Sequence, residues 1–105
     1  MINLRKILDI NNRKGEKNEF TFELYFAGDT PISLKAASNA KAIFDKYCKN
    51  NYAMHLFDIN KNTALVEREN IIAVPLLVRK SPLPEIRMIG DFSDMQKVKN
   101  EFLIR

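Results

Sequence analysis

Hydrophobic and polar residues alternate strictly from Phe20 onward. Phenylalanine and leucine occupy every second position of residues 20–26, with polar side chains and a tyrosine between them. This period of two predicts a strand with one apolar face. Thr30 followed by Pro31 predicts a helix start, because a hydroxyl caps the first turn and a proline there needs no N–H partner. Apolar residues spaced by four and three predict that this helix extends to about Lys49.

The remaining chain alternates between apolar runs and polar interruptions. Five further elements are predicted, in chain order: a strand at 52–59, a short helix at 64–69, a buried strand at 71–78, a strand at 85–89, and a helix that Ser93 and Gln96 open as a capping box. A long helix between two strands implies a parallel βαβ unit. The order βαβαββα is typical of the thioredoxin-like layout, in which helices pack on a four-stranded mixed sheet. In that layout a proline, usually cis, starts the third strand, and Pro75 is therefore our candidate cis-proline.

Length and charge restrict the function classes. A chain of 105 residues fits one α/β domain, which we assign to residues 20–105, preceded by a basic, flexible extension at 1–19. Residues 1–18 carry +3 of the net charge of +4, and no aromatic residue lies among their basic side chains. The nearly neutral domain therefore argues against a nucleic-acid partner. No apolar run approaches 18 residues and no signal peptide opens the chain, so we expect a cytoplasmic protein without a membrane segment.

The residues at the start of the first helix bear on redox chemistry. A thioredoxin-like enzyme needs a thiolate there, where the helix dipole lowers the thiol pKa. Residues 28–33 contain no cysteine, and the single Cys48 lies at the opposite end of the helix. Thr30 or Ser33 could hold a glutathione thiolate by a hydrogen bond, so a redox or glutathione-dependent protein stays the alternative. We expect no cofactor and no metal, and a lone histidine, His55, completes no catalytic set.

Two segments resemble a known family. Residues 24–31, Leu-Tyr-Phe-Ala-Gly-Asp-Thr-Pro, are similar to the opening pattern of the KaiB family, Leu-Tyr-Val-Ala-Gly-Asn-Thr-Pro. Residues 87–93, Arg-Met-Ile-Gly-Asp-Phe-Ser, form the second match. Further likeness lies at Tyr52-Ala53, Asp58, Lys61-Asn62, Leu65, Ala73-Val74-Pro75 and Pro82-Leu83-Pro84. Together they cover residues 22–104, and the chain is identified as a member of this family.

The resemblance implies a non-enzymatic regulatory adaptor. KaiB proteins bind KaiC, a ring-shaped ATPase and autokinase, restrain its phosphorylation cycle together with KaiA, and compete with a sensor histidine kinase. The family has two folds: a resting tetramer ordered βαββααβ and a thioredoxin-like monomer ordered βαβαββα. We therefore expect a homotetramer, with the resting order favoured in a crystal, because tetramer burial favours it by mass action. The role is in a clock or in a stress or signalling pathway.

The resemblance also supplies candidate site residues. Lys35 keeps a basic charge on the first helix, His55 stands where cyanobacterial members often carry lysine, and Arg87 lies in the second matching segment. We take these three as candidate partner-binding residues. Gly90 and Asp91 are the candidate hinge between the two folds, because glycine tolerates positive φ and weakens a strand interior.

Overall fold

Seven helices and strands follow one another in the part of the chain that the structure, a computed structural model, describes, residues 19–103. Their bounds are β1 Phe20–Phe26, α1 Pro31–Tyr47, β2 Tyr52–Asp58, α2 Thr63–Arg68, β3 Leu76–Ser81, β4 Ile86–Ile89 and α3 Met95–Phe102. This is the order βαβαββα, so the thioredoxin-like prediction is confirmed. The resting order βαββααβ, which we expected to be observed, is not the order of this structure. That expectation rested on burial between four subunits, whereas a single chain buries α3 against its own sheet.

The four strands form one mixed sheet in the order β2-β1-β3-β4. β1 pairs with β2 in parallel, as the long intervening helix predicted, and β3 pairs antiparallel with both β1 and β4. Consequently β2 and β4 are the two outer strands. Because side chains alternate along each strand, the sheet has two distinct faces.

The first face, here called the α1 face, carries the main core. Its buried side chains come from β1, β2, β3, α1 and α3, with Phe22 at the centre. The ring of Phe22 stacks on that of Phe44 with centroids 3.8 Å apart, and both side chains are fully buried. Rings of this size supply much of the apolar burial that stabilises a small domain.

The opposite face, here called the α2 face, is covered only in part, by α2 and the loop after it. A smaller cluster centres on Tyr25, Leu76 and Val78. The alternation in β1 predicted one apolar face, yet Tyr25 on the other face is 1% exposed because α2 packs over it. Its hydroxyl donates to Glu23 Oε1 at 2.8 Å. Burial, followed by this bond to Glu23, raises the pKa of Tyr25 above its ordinary value.

Two predicted elements have different bounds in the structure. The apolar run 71–78 is not one strand: β3 begins at Leu76, and the preceding residues form a loop in which Ile72 is 84% exposed. The predicted capping box is also wrong. The Ser93 N–H donates to Asp91 Oδ1, and α3 starts one residue later, where the Asp94 side chain accepts from the backbone of Lys97.

The N-terminal boundary can be compared with the structure at one residue. Glu19, which we assigned to the extension, is bonded to the domain: its N–H donates to Asn51 Oδ1 at 2.8 Å, and Asn51 Nδ2 donates to its carboxylate at 3.0 Å. The other residues assigned to the extension, 1–18, lie outside the described residues.

Candidate partner-binding site

The N-terminus of α1 presents hydroxyl groups where a thioredoxin presents a thiol. Thr30 is the N-cap and accepts from Ser33 N at 3.3 Å, while its own hydroxyl donates to Ser33 Oγ at 2.9 Å. Ser33 is buried. The two hydroxyls are therefore engaged with each other and with the helix backbone, which leaves them poorly placed to hold a substrate thiolate.

The one cysteine lies at the far end of the same helix. Cys48 is the C-cap residue of α1 and is 6% exposed. At 1.5 Å per residue it lies about 27 Å from Thr30. A buried thiol at a helix C-terminus lacks both the access and the favourable dipole that thiol chemistry needs.

His55 is exposed on the outer strand β2. Its neighbours Met54 and Leu56 are buried in the main core, so strand alternation places His55 on the α2 face. It is the register partner of Glu23 on β1. A charged or polar partner therefore has access to His55 on this face.

Arg87 also belongs to the α2 face, on the opposite outer strand β4. Its guanidinium donates to Glu85 Oε2 at 3.1 Å and to the backbone carbonyl of Glu69 at 2.8 Å. Lys80 bridges the same two residues, with Nζ 2.8 Å from Glu85 Oε1 and 3.3 Å from Glu69 Oε1. These four residues form a charged cluster. The bond from Lys80 is the main cause that lowers the pKa of Glu85 below its usual value.

Lys35 lies on α1, away from the other two candidates. It is exposed, and its Nζ is 3.3 Å from Asp91 Oδ2. Asn39, one helical turn further on, donates from Nδ2 to the carbonyl of Asp91 at 2.8 Å. Hydrogen bonds from Ser93, with a smaller contribution from Lys35, lower the pKa of Asp91. One candidate binding residue thus contacts one candidate hinge residue.

The backbone around the candidate hinge has unusual geometry. Gly90 has φ +138° and Phe92 has φ +61°, both in a region that L side chains rarely adopt. Gly90 N donates to the carbonyl of Pro75 at 3.1 Å, and the Val74–Pro75 peptide bond is cis. Phe92 is 4% exposed and belongs to the main core. Residues 90–92 therefore connect β4 to α3 through a tight, well-bonded corner.

The structure brings together two of the three candidate binding residues. His55 and Arg87 share the α2 face and lie on strands three positions apart, which at about 4.8 Å per strand is about 14 Å. One partner surface can span that distance, whereas Lys35 belongs to the other side of the sheet.

Sequence reasoning missed two features. One is Arg79, which is 2% exposed and donates to the carbonyls of Phe102 and Pro84 at 2.9 and 3.2 Å. Burial lowers its pKa. The other is an apolar groove beside β4, which is lined by Asn70, Ile72, Ala73, Leu76, Arg87 and Ile89. The apolar run 71–76 was the only signal for it, and that run favoured a buried strand instead.

Nowhere between residues 19 and 103 does a helix have the length and hydrophobicity needed to cross a bilayer. Nor do histidine, cysteine or carboxylate side chains group in threes as a metal site would require in that stretch.

Comparisons with known proteins agree with this geometry. The chain is 39% identical over 82 residues to the "Circadian clock oscillator protein KaiB" of Synechococcus elongatus, covering 78% of this chain and 80% of the relative. It is 38% identical over 82 residues to the protein of the same description in Microcystis aeruginosa, covering 78% and 79%.

Solved structures share the fold at low sequence identity. The N-terminal domain of Synechococcus elongatus SasA matches with TM-score 0.67 at 16% identity, covering 85% of this chain and 84% of that one. The germline-specific thioredoxin Deadhead of Drosophila melanogaster matches with TM-score 0.62 at 18% identity, covering 95% and 94%. The model of the KaiB domain matches residues 23–103, which include both outer strands, the charged cluster and the corner at Gly90. The chain therefore belongs to the KaiB family.

Proposed function

We propose that this protein is a non-enzymatic regulatory adaptor that binds a KaiC-type ATPase and autokinase. Binding modulates phosphorylation of that ATPase, or a linked signalling pathway, in a clock or a stress response. The observation that carries the proposal is the family match over residues 23–103, which spans most of β1, the other three strands and all three helices. The two relatives that are 39% and 38% identical to this chain are named circadian clock proteins.

The alternative, a thioredoxin-like redox or glutathione-dependent protein, has only the fold in its favour. The residues at the N-terminus of α1 count against it, because Thr30 and Ser33 are bonded to each other and Cys48 is buried at the other end of the helix. Assays of disulfide reduction and glutathione transfer separate the two functions. We expect no turnover, and turnover that Cys48→Ser abolishes would favour the alternative.

The binding surface that we propose is centred on the α2 face. His55 and Arg87 supply a polar and a cationic contact about 14 Å apart on outer strands, which suits a partner surface that bears carboxylates. Lys35 adds a third, separate contact from α1 on the other side of the sheet, where it is exposed beside Asp91. A sensor histidine kinase that uses the same surface would compete with the ATPase.

The direct experiment is a pull-down from the source cell, scored for a KaiC-type ATPase, followed by titration with the purified ATPase. We expect Arg87→Glu and His55→Glu each to weaken binding about fivefold to thirtyfold, since each places a like charge against the partner. Lys97→Glu is the matched control for Arg87→Glu, because Lys97 is exposed on α3, which packs on the α1 face, and the change of charge is the same. Equal effects of all three variants would show only a dependence on net charge and would reject this surface.

We also propose that the chain has a second, tetrameric form with the order βαββααβ, and that Gly90 and Asp91 are the hinge. The positive φ of Gly90 and the bonds of Asp91 to Ser93, Asn39 and Lys35 support this, because these contacts exist only while the chain turns from β4 into α3. Light scattering over a concentration series tests the proposal. A tetramer that forms as concentration rises supports it, and a constant monomer mass contradicts it.

A further inference from the structure

The strand β4 borders the sheet, and its pairing with β3 fixes the direction of its backbone groups. Gly90 N donates to the carbonyl of Pro75 at 3.1 Å, one position beyond the register pair of Leu76 and Ile89. In an antiparallel ladder such hydrogen-bonded pairs alternate with pairs whose N–H and C=O groups point away from each other. Arg87 and Ile89 therefore direct their backbone groups to the outer side of the sheet, where no strand of residues 19–103 lies.

The same two residues of β4 present their side chains on the α2 face. Ile89 is the register partner of Leu76 and Arg87 is that of Val78, and both partners belong to the cluster on this face. Residues directly opposite each other on neighbouring strands share a face. A strand added outside β4 would therefore meet unpaired backbone groups and, on the α2 face, one isoleucine and one arginine.

An apolar groove adjoins β4 on this face. Its volume is about 290 Å³, and it is lined by Asn70, Ile72, Ala73, Leu76, Arg87 and Ile89. Ile72 is 84% exposed and Ile89 is 55% exposed, which is unusual for isoleucine. Clefts for cofactors and drug-sized ligands measure about 300 to 1,000 Å³, so the size of this groove favours one or two side chains over a cofactor.

The groove has few polar groups, and Arg87 is the one charged residue of its lining. The guanidinium donates from Nε to the Glu85 carboxylate and from its two terminal nitrogens to the backbone carbonyls of Glu69 and Asn70. Two of its five N–H groups, one on each terminal nitrogen, are left over. The side-chain amide of Asn70 has no hydrogen bond to another residue of the described range. The groove thus combines apolar walls with a cationic donor and an amide.

We propose that this site binds an extended peptide segment of a protein partner, which joins the sheet as a fifth strand antiparallel to β4. The segment carries an apolar side chain opposite Ile89, directed to the groove, and a carboxylate two residues later, opposite Arg87. Its pattern is apolar, any residue, acidic. The inference deepens the proposed function and rests on it, because the segment is taken to belong to the partner that binds the α2 face.

Backbone complementarity supports a strand as the occupant. Outward-pointing N–H and C=O groups at a sheet edge are a template for an extended chain, and pockets beside the edge select its side chains. Arg87 and Ile89 offer two N–H and two C=O groups, and an antiparallel segment bonds all four in two hydrogen-bonded pairs. The carboxylate then forms a cross-strand ion pair with Arg87. Because faces alternate along a strand, the middle residue of the segment points away from the groove.

An NMR titration of the full chain with a synthetic peptide is the first test. The probe is Lys-Thr-Leu-Thr-Glu-Thr-Lys, and we expect a dissociation constant on the order of 100 µM. The reversed peptide, Lys-Thr-Glu-Thr-Leu-Thr-Lys, has the same composition and charge but places Glu opposite Ile89 and Leu opposite Arg87. We expect it to bind about tenfold more weakly, as does the probe with Thr in place of Leu.

Variants of the protein test the two side-chain contacts. Ile89→Thr removes part of the apolar wall and should weaken binding of the probe about fivefold or more. Ile32→Thr is the matched control, because Ile32 is 54% exposed on α1, and it should leave the affinity unchanged. Arg87→Glu should weaken binding about fivefold to tenfold. A probe with Lys in place of Glu should restore the affinity of Arg87→Glu to within about threefold of the original pair.

Backbone chemistry tests strand addition itself. In the paired segment the N–H groups of Leu and Glu point to β4, whereas that of the middle Thr points away. N-methylation of Leu should therefore abolish binding, and N-methylation of the middle Thr should change the affinity less than about threefold. In the protein, saturating peptide should slow amide hydrogen exchange of Arg87 and Ile89 about fivefold or more. Exchange of Met88, which already bonds to β3, should not change.

Four outcomes would overturn the proposal. They are no binding of the probe up to about 2 mM, equal affinity for the probe and its reversed peptide, exchange protection on β2 in place of β4, and a doubled mass on sedimentation that displaces the probe, which would assign the groove to a second copy. Titration with the purified ATPase separates this failure from that of the proposed function. If the ATPase binds and Arg87→Glu weakens it while the probe does not bind, the strand mode is wrong and the proposed function stands. If the probe binds and the ATPase does not, the site stands and the proposed partner is wrong.

Discussion

Gly90→Ala isolates the backbone cost of the corner between β4 and α3. A Cβ built on Gly90 meets no atom within 4 Å, so the substitution introduces no clash. The φ of +138°, however, is one that an L residue rarely adopts. Forcing alanine into such a conformation costs about 1 to 3 kcal/mol, and we expect the free energy of unfolding of the observed fold to fall by that amount.

In the two-fold equilibrium that we propose, this cost is also the expected change in the balance between the two forms. If the order βαββααβ relieves the positive φ, a loss of about 1 to 3 kcal/mol shifts the populations about fivefold to 150-fold away from the thioredoxin-like form. Urea denaturation followed by circular dichroism gives the stability, and sedimentation velocity with NMR spectra gives the populations of the two forms.

Gly28→Ala is the matched control for this measurement. Gly28 has φ +65° and also has nothing within 4 Å of an added Cβ, so alanine costs about 1 to 2 kcal/mol there. It lies between β1 and α1, in the half that the two orders share, so both forms should lose stability and their ratio should stay constant. Gly90→Ala with an unchanged urea midpoint, or with the same population ratio as Gly28→Ala, would refute the reasoning.

Three further predictions concern the stability of the domain. Because Lys80 lowers the pKa of Glu85, the pair contributes stability above the unfolded carboxyl pKa of about 4.3 and loses it as pH falls through the folded value. Lys80→Gln should therefore flatten the acid limb of stability measured by urea denaturation, and an unchanged limb would exclude the pair as its cause. Thr30→Ala removes the N-cap of α1 and should cost about 1 kcal/mol in thermal denaturation, whereas Thr30→Ser should keep most of it. Phe22→Ala removes a fully buried ring that stacks on Phe44 and should cost about 3 to 5 kcal/mol, and a loss under about 1 kcal/mol would contradict its central place in the core.

Local sequence signals determined the first half of the fold. The alternation at residues 20–26, the Thr30-Pro31 cap and the helical spacing after it each depend on neighbours in the chain, so they can be recognised without coordinates. A parallel βαβ unit then follows from the length of the connection. The family membership, too, rests on motifs that are contiguous in the chain.

In the second half of the chain, local sequence signals did not suffice to predict the bounds of the elements. The apolar run 71–78 predicted one buried strand, but hydrophobicity alone does not distinguish a strand from a loop that packs on a sheet face, and β3 begins only at Leu76. The N-cap of α3 is Asp94 and not the predicted Ser93, because the Ser93 N–H donates to the Asp91 carboxylate within a tight turn. Ser93 and Asp94 are competing N-cap residues. Tertiary contacts from Asn39 and Lys35 hold Asp91 in the turn that leaves Asp94 as the cap.

The sequence by itself determined which residues are candidates for partner binding, and the tertiary structure decided which of them lie on the same face. Lys35, His55 and Arg87 were equivalent candidates along the chain, yet strand order places His55 and Arg87 on one face and leaves Lys35 beside Asp91 on the other. The charged cluster and the apolar groove beside β4 bring residues 69–76 next to residues 80–89. Such sites depend on which strands are neighbours and which faces are left uncovered, and these are properties of the packed sheet rather than of any segment.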